Sequence, residues 1–571
     1  MVRWLLLVVA VAILLTNAYY LKFLEPTVSR KTLAFVILAG IGLVFFTTRV
    51  GLPRSRAALM TVGRRLVIPI VLLVILAVGF SLRLWGISSG LPQSYVPDEY
   101  DYVHSPIKMM KRGDFNPRWW YYPSLQPYLT LGTYTTVFLL EARTGRWQSV
   151  HEIVEEDMLY WGRFVGVVFG TGTILLIFLL GRHLLGTRVG LMAAAFLAVF
   201  PAAVEHSQVN KPDPVLAFMT TLGVLLACVY FQKGGKRLAL ACGVAIGLAV
   251  ATKYNGLLVA IPFVLAVSLR HGRRFLAEPD VYLGAVGSIL AFFVACPYVL
   301  ADFPRFLDHL AYDLYSYGFA GKEGGTGDDN WGYHGRYMIL YGTGLWAFLA
   351  GIAGLGLALY RLDARLVVAL SFPVIYASYL SSQRLHWSGN MLPVYPFLAI
   401  LAAYAIREGT AAAAGWIHNH SKVSFWTGLE PLVTAGVLIL VMWFPLKTSV
   451  RHNLEATLPD AGNVARMWIN ETFEPGTHFA VERHAPVPDR KRFRVTQEAR
   501  IIRRSVRDYR EEGVQYLVVS SMVYEHYGPE HRLSQVYQKL FQICPLEAEF
   551  KPIEGVRQGP TIRVLRVPAE E

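Results

Sequence analysis

Apolar windows recur along this chain, many of them about twenty residues long and able to cross a hydrocarbon core of about 30 Å. Thirteen stand out, at residues 2–24, 32–48, 66–85, 161–180, 189–204, 214–231, 238–253, 256–269, 281–299, 336–360, 366–380, 391–406 and 428–444. In lipid every backbone N–H and C=O must be satisfied within the segment, so such windows fold as helices. The expectation is a polytopic α-helical membrane protein of about 13 spans. Only 16% of the 571 residues are charged, against about 25% in soluble domains. The first window is too long for a signal-peptide core and no small-x-small cleavage site follows it, so it reads as a retained span.

The formal charge of +14 does not point to nucleic acid. Much of it sits in short loops between windows, where basic residues set topology. Arg49, Arg54, Arg56, Arg64 and Arg65 place the loop before residue 66 in the cytoplasm, and Arg182 and Arg188 do the same for a later turn. Strict alternation then leaves the apolar segment 124–140 without a net crossing, lying in the interface or re-entering. The N-terminus falls in the cytoplasm and the polar tail on the extracytoplasmic side. Cys228, Cys242, Cys296 and Cys544 show no metal-ligand spacing, so neither a disulfide framework nor a thiolate metal site is expected.

Under this topology the unusual polar residues gather at the outer face. The stretch SYVPDEYDY at 94–102 carries Asp98, Glu99 and Asp101 just beyond a window. Carboxylates there either face water or serve a site. Asp213 opens a later window before Pro214, as a helix cap or as a site residue. Lys253 and Tyr254 lie at the outer end of another window. Lys253 either snorkels or binds an anion. Arg384, His386 and Asn390 share one short outer loop, and 301–335 forms a long one, as lids and binding loops often do. The aromatic run 119–122, ending in Tyr122, suits a headgroup belt or a substrate groove.

A carboxylate such as Asp98 or Glu99 can take a proton from a hydroxyl. A nearby cation can stabilise a phosphate leaving group. A lipid-phosphate sugar donor needs both at a membrane surface. After the last window, 447–571 turns polar and mixes patterns. Helices are expected at 463–471, 503–512 and 533–542, and strands at 479–482, 515–520 and 561–567, giving a small α/β domain. Its run from Arg483 to Arg510 is strongly basic, either a solvated face or a docking surface for anionic headgroups.

The order of these motifs resembles the GT-C glycosyltransferases, in particular the dolichyl-phosphate-mannose-protein mannosyltransferases and the aminoarabinose transferases. That family carries a PDE motif after an early span, here Pro97-Asp98-Glu99. A juxtamembrane helix ending in Gly-Asp follows, here Gly113-Asp114, and then a proline-bearing segment, here YYPSLQPYL. Asp213-Pro214, the Thr252-Lys253-Tyr254 turn and LHWSGNMLPVYPFLAI at 385–400 continue the pattern. The resemblance implies three regions: two extra spans and a basic loop (1–65), a GT-C-like core (66–446) and an extracytoplasmic α/β domain (447–571). It further implies inverting transfer of a sugar from a polyprenyl-phosphate donor, embedded in the lipid bilayer, to a protein, lipid or glycan acceptor. Asp98 inherits the base role, with Glu99 and Asp213 beside it. Lys253, Arg384 and His386 are the candidate phosphate ligands, and Tyr122, Tyr254 and Asn390 the groove. Some relatives bind a divalent metal cation and others none, so a cofactor stays open, placed near Asp98 and Asp213 if present. The chain departs from the aminoarabinose transferases where they carry lysine before the proline, since Tyr122 stands there. A transporter or flippase of lipid-linked sugars is the second reading, and a non-enzymatic membrane subunit the third. A transporter would show charges at span centres and internal symmetry, whereas the charges here gather at one face.

Overall fold

The computed structural model describes residues 56–93, 96, 98–320, 329–421, 425–525 and 531–569. The windows expected at 2–24 and 32–48 lie outside these residues. Each of the other eleven falls on a helix. The principal helices are α1 (Arg56–Trp85), α2 (Glu99–Arg112), α3 (Leu125–Ala142), α4 (Glu155–Leu185), α5 (Thr187–Val199), α6 (Asp213–Lys233), α7 (Lys236–Thr252), α8 (Ala260–His271), α9 (Pro279–Ala295), α10 (Leu345–Arg361), α11 (Ala364–Ser381), α12 (Tyr395–Ser421) and α13 (Phe425–Ala456). Among the described residues seven helical segments are long and apolar enough to cross a membrane: Val67–Trp85, Glu155–Leu185, Asp213–Lys233, Tyr254–Ala277, Ala364–Ser381, Ser388–His420 and Glu430–Ala456. A bent pair makes eight, and Pro279–Ala295 and Leu345–Arg361 are shorter apolar helices. The expected number of about 13 is thus not reached among these residues.

Two windows differ from expectation in shape. The one at 189–204 is broken, with Thr187–Val199 and Pro201–Gln208 meeting at 66°. Pro201 lacks the N–H that would continue the helix and holds Phe200 extended. The window at 336–360 is divided, taking in the end of a short helix, Asn330–Tyr337, and a π-turn, Met338–Gly342, before the longer helix starts at Leu345. Gly344, at φ 80, makes the corner between them. Segment 124–140 forms α3, which is not among the seven candidate spans and packs against α2 and α4. One apolar core runs through the helices from Leu82 to Ile406, with Phe196, Phe200, Val215, Ala249 and Tyr395 fully buried in it.

Beyond α13 the chain forms a five-stranded sheet in the order β2-β1-β3-β5-β4. The strands are β1 (His478–Glu482), β2 (Arg494–Glu498), β3 (Tyr516–Ser520), β4 (Leu546–Phe550) and β5 (Ile562–Arg566). β1 pairs parallel with β2 and β3, whereas β5 runs antiparallel to β3 and β4. Apolar residues are buried on both faces, Phe479, Val481 and Val518 on one and Ala480, Leu517 and Val519 on the other. The expected helices appear as α14 (Ala461–Thr472), α15 (Val506–Glu511) and α16 (Arg532–Ile543). The domain rests on the end of the helical core that carries Asp101, where Arg483 comes within 3.8 Å of that carboxylate and Arg466 within 3.4 Å of Glu156.

Candidate active site

The acidic stretch becomes the start of α2. Glu99 and Asp101 occupy its first turn and Lys111 and Arg112 its last, each charge complementing the helix dipole. Asp98 caps the helix in the left-handed region, at φ 66, a conformation that Asp and Asn tolerate better than most residues. Its side chain is exposed and makes no capping bond.

Glu99, one residue on, is fully buried. Its two oxygens accept a bidentate pair from Arg163 of α4, at 2.8 Å from Nε and 2.7 Å from Nη2. Glu99 also accepts the Asn210 backbone N–H at 2.9 Å. The remaining arginine nitrogen, Nη1, donates to the Ile87 and Ser89 carbonyls at 2.9 and 2.6 Å. A buried ion pair is tolerable when its lone pairs and protons are satisfied in this way. Close approach of α4 requires Gly162, where a Cβ would stand 2.5 Å from Asn210 Nδ2 and 2.6 Å from the Tyr134 hydroxyl.

A second cluster joins α6, α7 and the 3-10 turn Ser388–Val394. Lys253 follows the last residue of α7 in extended backbone, which turns its side chain inward. Its ammonium donates to Asp213 Oδ1 at 3.1 Å and to Asn390 Oδ1 at 2.8 Å. It also lies 5.5 Å from the centre of the Tyr122 ring, within cation–π range. All three polar residues are buried. Tyr254 donates its hydroxyl to the Trp120 carbonyl at 2.7 Å, which fixes the aromatic segment over the cluster. Tyr102 connects the two groups, with its ring 5.8 Å from Tyr122. Burial first, and after it the charge of nearby Asp98, raises the phenol pKa of Tyr102 well above its usual value. Burial, and after it Tyr317, Tyr102 and Asp98, raises the Tyr122 phenol in the same way.

The side chains of the other expected residues lie outside these hydrogen bonds. His386 packs against Tyr333 with the rings tilted by 35°, bonds Asn330 Oδ1 at 2.6 Å and has its pKa lowered by burial. Arg384 is exposed, and its backbone N–H donates to the Tyr317 carbonyl at 2.8 Å. Sequence reasoning did not single out Arg163, Asn210, Tyr102 or Tyr317. Arg163 is a lone charge inside an apolar run, a usable signal. Tyr317 stands beside Lys253, Asp213 and Asn390, where burial raises its phenol pKa. An apolar groove of about 470 Å³ runs between α3 and α4, lined by Leu129, Val137, Trp161 and Phe164 among others.

Among the described residues no group of three His, Cys, Asp or Glu side chains is placed to hold a metal ion. Asp213 faces the Lys253 ammonium and Glu99 the Arg163 guanidinium, so these carboxylates already have cationic partners. The donor set does not fit a divalent cation, and no step below uses one.

A family model described as dolichyl-phosphate-mannose-protein mannosyltransferase matches residues 150–298. No curated protein matches the chain. Among solved structures, ArnT from Cupriavidus metallidurans bound to undecaprenyl phosphate aligns with a TM-score of 0.55 at 15% identity, over 89% of this chain and 98% of that one. The archaeal oligosaccharyltransferase AglB from Archaeoglobus fulgidus, in complex with an inhibitory peptide and a dolichol-phosphate, aligns with a TM-score of 0.52 at 12% identity, over 81% of this chain and 71% of that one. Residues 150–298 thus match the mannosyltransferase family model, and the chain shares its fold with ArnT and with AglB.

Proposed function

We propose that the protein is a multi-pass membrane glycosyltransferase. It moves a sugar from a polyprenyl-phosphate donor to a hydroxyl of a protein, lipid or glycan acceptor on the extracytoplasmic face, with inversion at the anomeric carbon. The observation that carries this reading is that an exposed carboxylate, Asp98, and a buried ammonium, Lys253, both neighbour the Tyr122 ring. Asp98 takes the proton of the acceptor hydroxyl as that oxygen bonds to the anomeric carbon. The bond from that carbon to the phosphate oxygen breaks, and its electron pair leaves with the polyprenyl phosphate. A lysine ammonium has three donors. Asp213 and Asn390 engage two of them, and the third is directed to the donor phosphate, where negative charge grows. Glu99 serves as the anchor that holds Asp98 in place. The groove between α3 and α4 offers an apolar bed for the isoprenoid tail. ArnT and AglB, each solved with a polyprenyl phosphate, support the choice of donor.

The test is Asp98→Asn in the full chain, with undecaprenyl-phosphate-linked sugars as donors and native membranes as acceptor. Loss of a general base lowers turnover about 10²- to 10⁴-fold while the detergent-purified protein keeps its unfolding temperature. Full turnover in a well-folded Asn variant removes Asp98 from the chemistry.

A further inference from the structure

Segment 86–93, which connects α1 to the Asp98 turn, is gripped from both domains. On the membrane side, a Cβ at Gly86 would come within 2.5 Å of Gln208 Oε1 and 2.7 Å of Asn453 Oδ1. The same two residues bond each other at 2.6 Å, and both donate to the Leu82 carbonyl at the end of α1. Arg163 takes the carbonyls of Ile87 and Ser89. From the C-terminal domain, Asn463 Nδ2 donates to the carbonyls of Gly90 and Leu91, at 3.0 and 2.8 Å. The Ser89 hydroxyl donates to Gln558 Oε1 at 3.3 Å. The Gln93 amide exchanges two hydrogen bonds with the Val487 backbone, at 3.2 and 3.3 Å. Every residue of this segment from 86 to 93 except Ser88 and Pro92 is named in these contacts, and three of the gripping residues belong to the C-terminal domain.

We propose that the C-terminal domain is a positioning element for the base, with Asn463 as its principal positioning residue. The inference rests on the reading of Asp98 as base. The path is short and continuous. Asn463 holds the carbonyls of Gly90 and Leu91. The carbonyls of Ile87 and Ser89 in the same segment hold the Arg163 guanidinium. The guanidinium fixes both oxygens of Glu99, and Glu99 adjoins Asp98. Arg163 is a rigid fork with four of its five N–H groups committed to Glu99 and the segment, so a shift of the segment moves the Glu99 carboxylate with it. The Lys253 cluster stands on α6, α7 and the turn at 388–394, none of which the segment holds. Loosening the segment should therefore disturb the base while leaving phosphate binding intact.

Hydrogen exchange and kinetics on the full chain in detergent test this with Asn463→Ala and, as a second variant, Gln93→Ala. Both are expected to speed exchange of the amides at 99–107 about tenfold and leave those around Lys253 unchanged. Turnover with the undecaprenyl-phosphate-linked sugar used by the unaltered chain should fall about tenfold, since small misplacements of catalytic groups carry penalties of that order and above. The donor KM should stay within about twofold, because uniform binding is untouched. A merely structural role for Asn463 would loosen 461–472 and leave protection at 99–107 and kcat unchanged, and that result overturns the proposal. Asp98→Asn, run alongside, separates the two ideas. If it is inactive while both segment variants turn over normally, the base stands and the positioning role falls. If it is fully active, the base reading falls and the positioning of a base falls with it.

Discussion

Lys253 is the residue whose replacement separates stability from donor recognition. Lys253→Met keeps most of the apolar stem and deletes the ammonium. It leaves the Asp213 carboxylate, 6% exposed, without its partner at 3.1 Å. Breaking a buried pair on one side costs about 3–5 kcal/mol, which should lower the unfolding temperature clearly. Adding Asp213→Asn removes the stranded charge, and a neutral buried pair recovers most of that loss. Donor binding should behave differently. A charge-assisted hydrogen bond contributes about 1.5–3 kcal/mol, so its loss raises the donor KM about 10- to 100-fold, and no change at position 213 can restore it. The assay is thermal unfolding in detergent together with initial rates across donor concentration for the two single variants and the double. A double variant that regains both stability and donor affinity would refute the phosphate role, because Lys253 would then act only by neutralising Asp213.

Two further outcomes can be checked directly. Burial raises the Glu482 carboxyl to about 7, so the folded domain holds this proton more firmly than the unfolded chain does. The stability it contributes is complete below pH about 4.5 and is lost as pH rises through 7, a change of about 3 kcal/mol. Chemical unfolding of the wild-type chain should show that slope between pH about 4.5 and 7, and Glu482→Gln should flatten it. Gly162→Ala puts a methyl 2.5 Å from Asn210 Nδ2. It should cost about 1–3 kcal/mol as an overpacked contact and speed exchange of the Asn210 amide, which donates to Glu99.

Periodic signals were legible in the chain and solitary ones were less so. Long apolar runs gave the helices, because lipid leaves a backbone no other choice. The run YLVVS became β3, buried along most of its length. Edge strands β2 and β4 were missed, since RVTQE and LEAEF carry charges that suit an exposed sheet edge as well as a loop. Asp213, Lys253, Asn390 and Tyr122 were named from the sequence and stand in contact in the fold. Sharing a loop with Asn390 did not carry Arg384 and His386 to the same cluster. The chain turns between them, and His386 packs on Tyr333 instead. Arg163 lies 64 positions from Glu99, so only a closed fold reveals the pair, although a lone arginine in an apolar run is itself a cue.

The left-handed backbone at Asp98 bears on how this position can be mutated and read. At φ 66 an alanine suffers a steric penalty of about 1–2 kcal/mol that aspartate and asparagine partly escape. An alanine scan would therefore report two losses as one, the carboxylate and the turn. Glycine relieves the turn without returning the oxygen atoms, and asparagine keeps both the turn and the shape. The difference between the Ala and Gly variants isolates the backbone contribution, and the difference between Asn and wild type isolates the proton acceptor. A substitution series at this one residue thus separates conformation from chemistry.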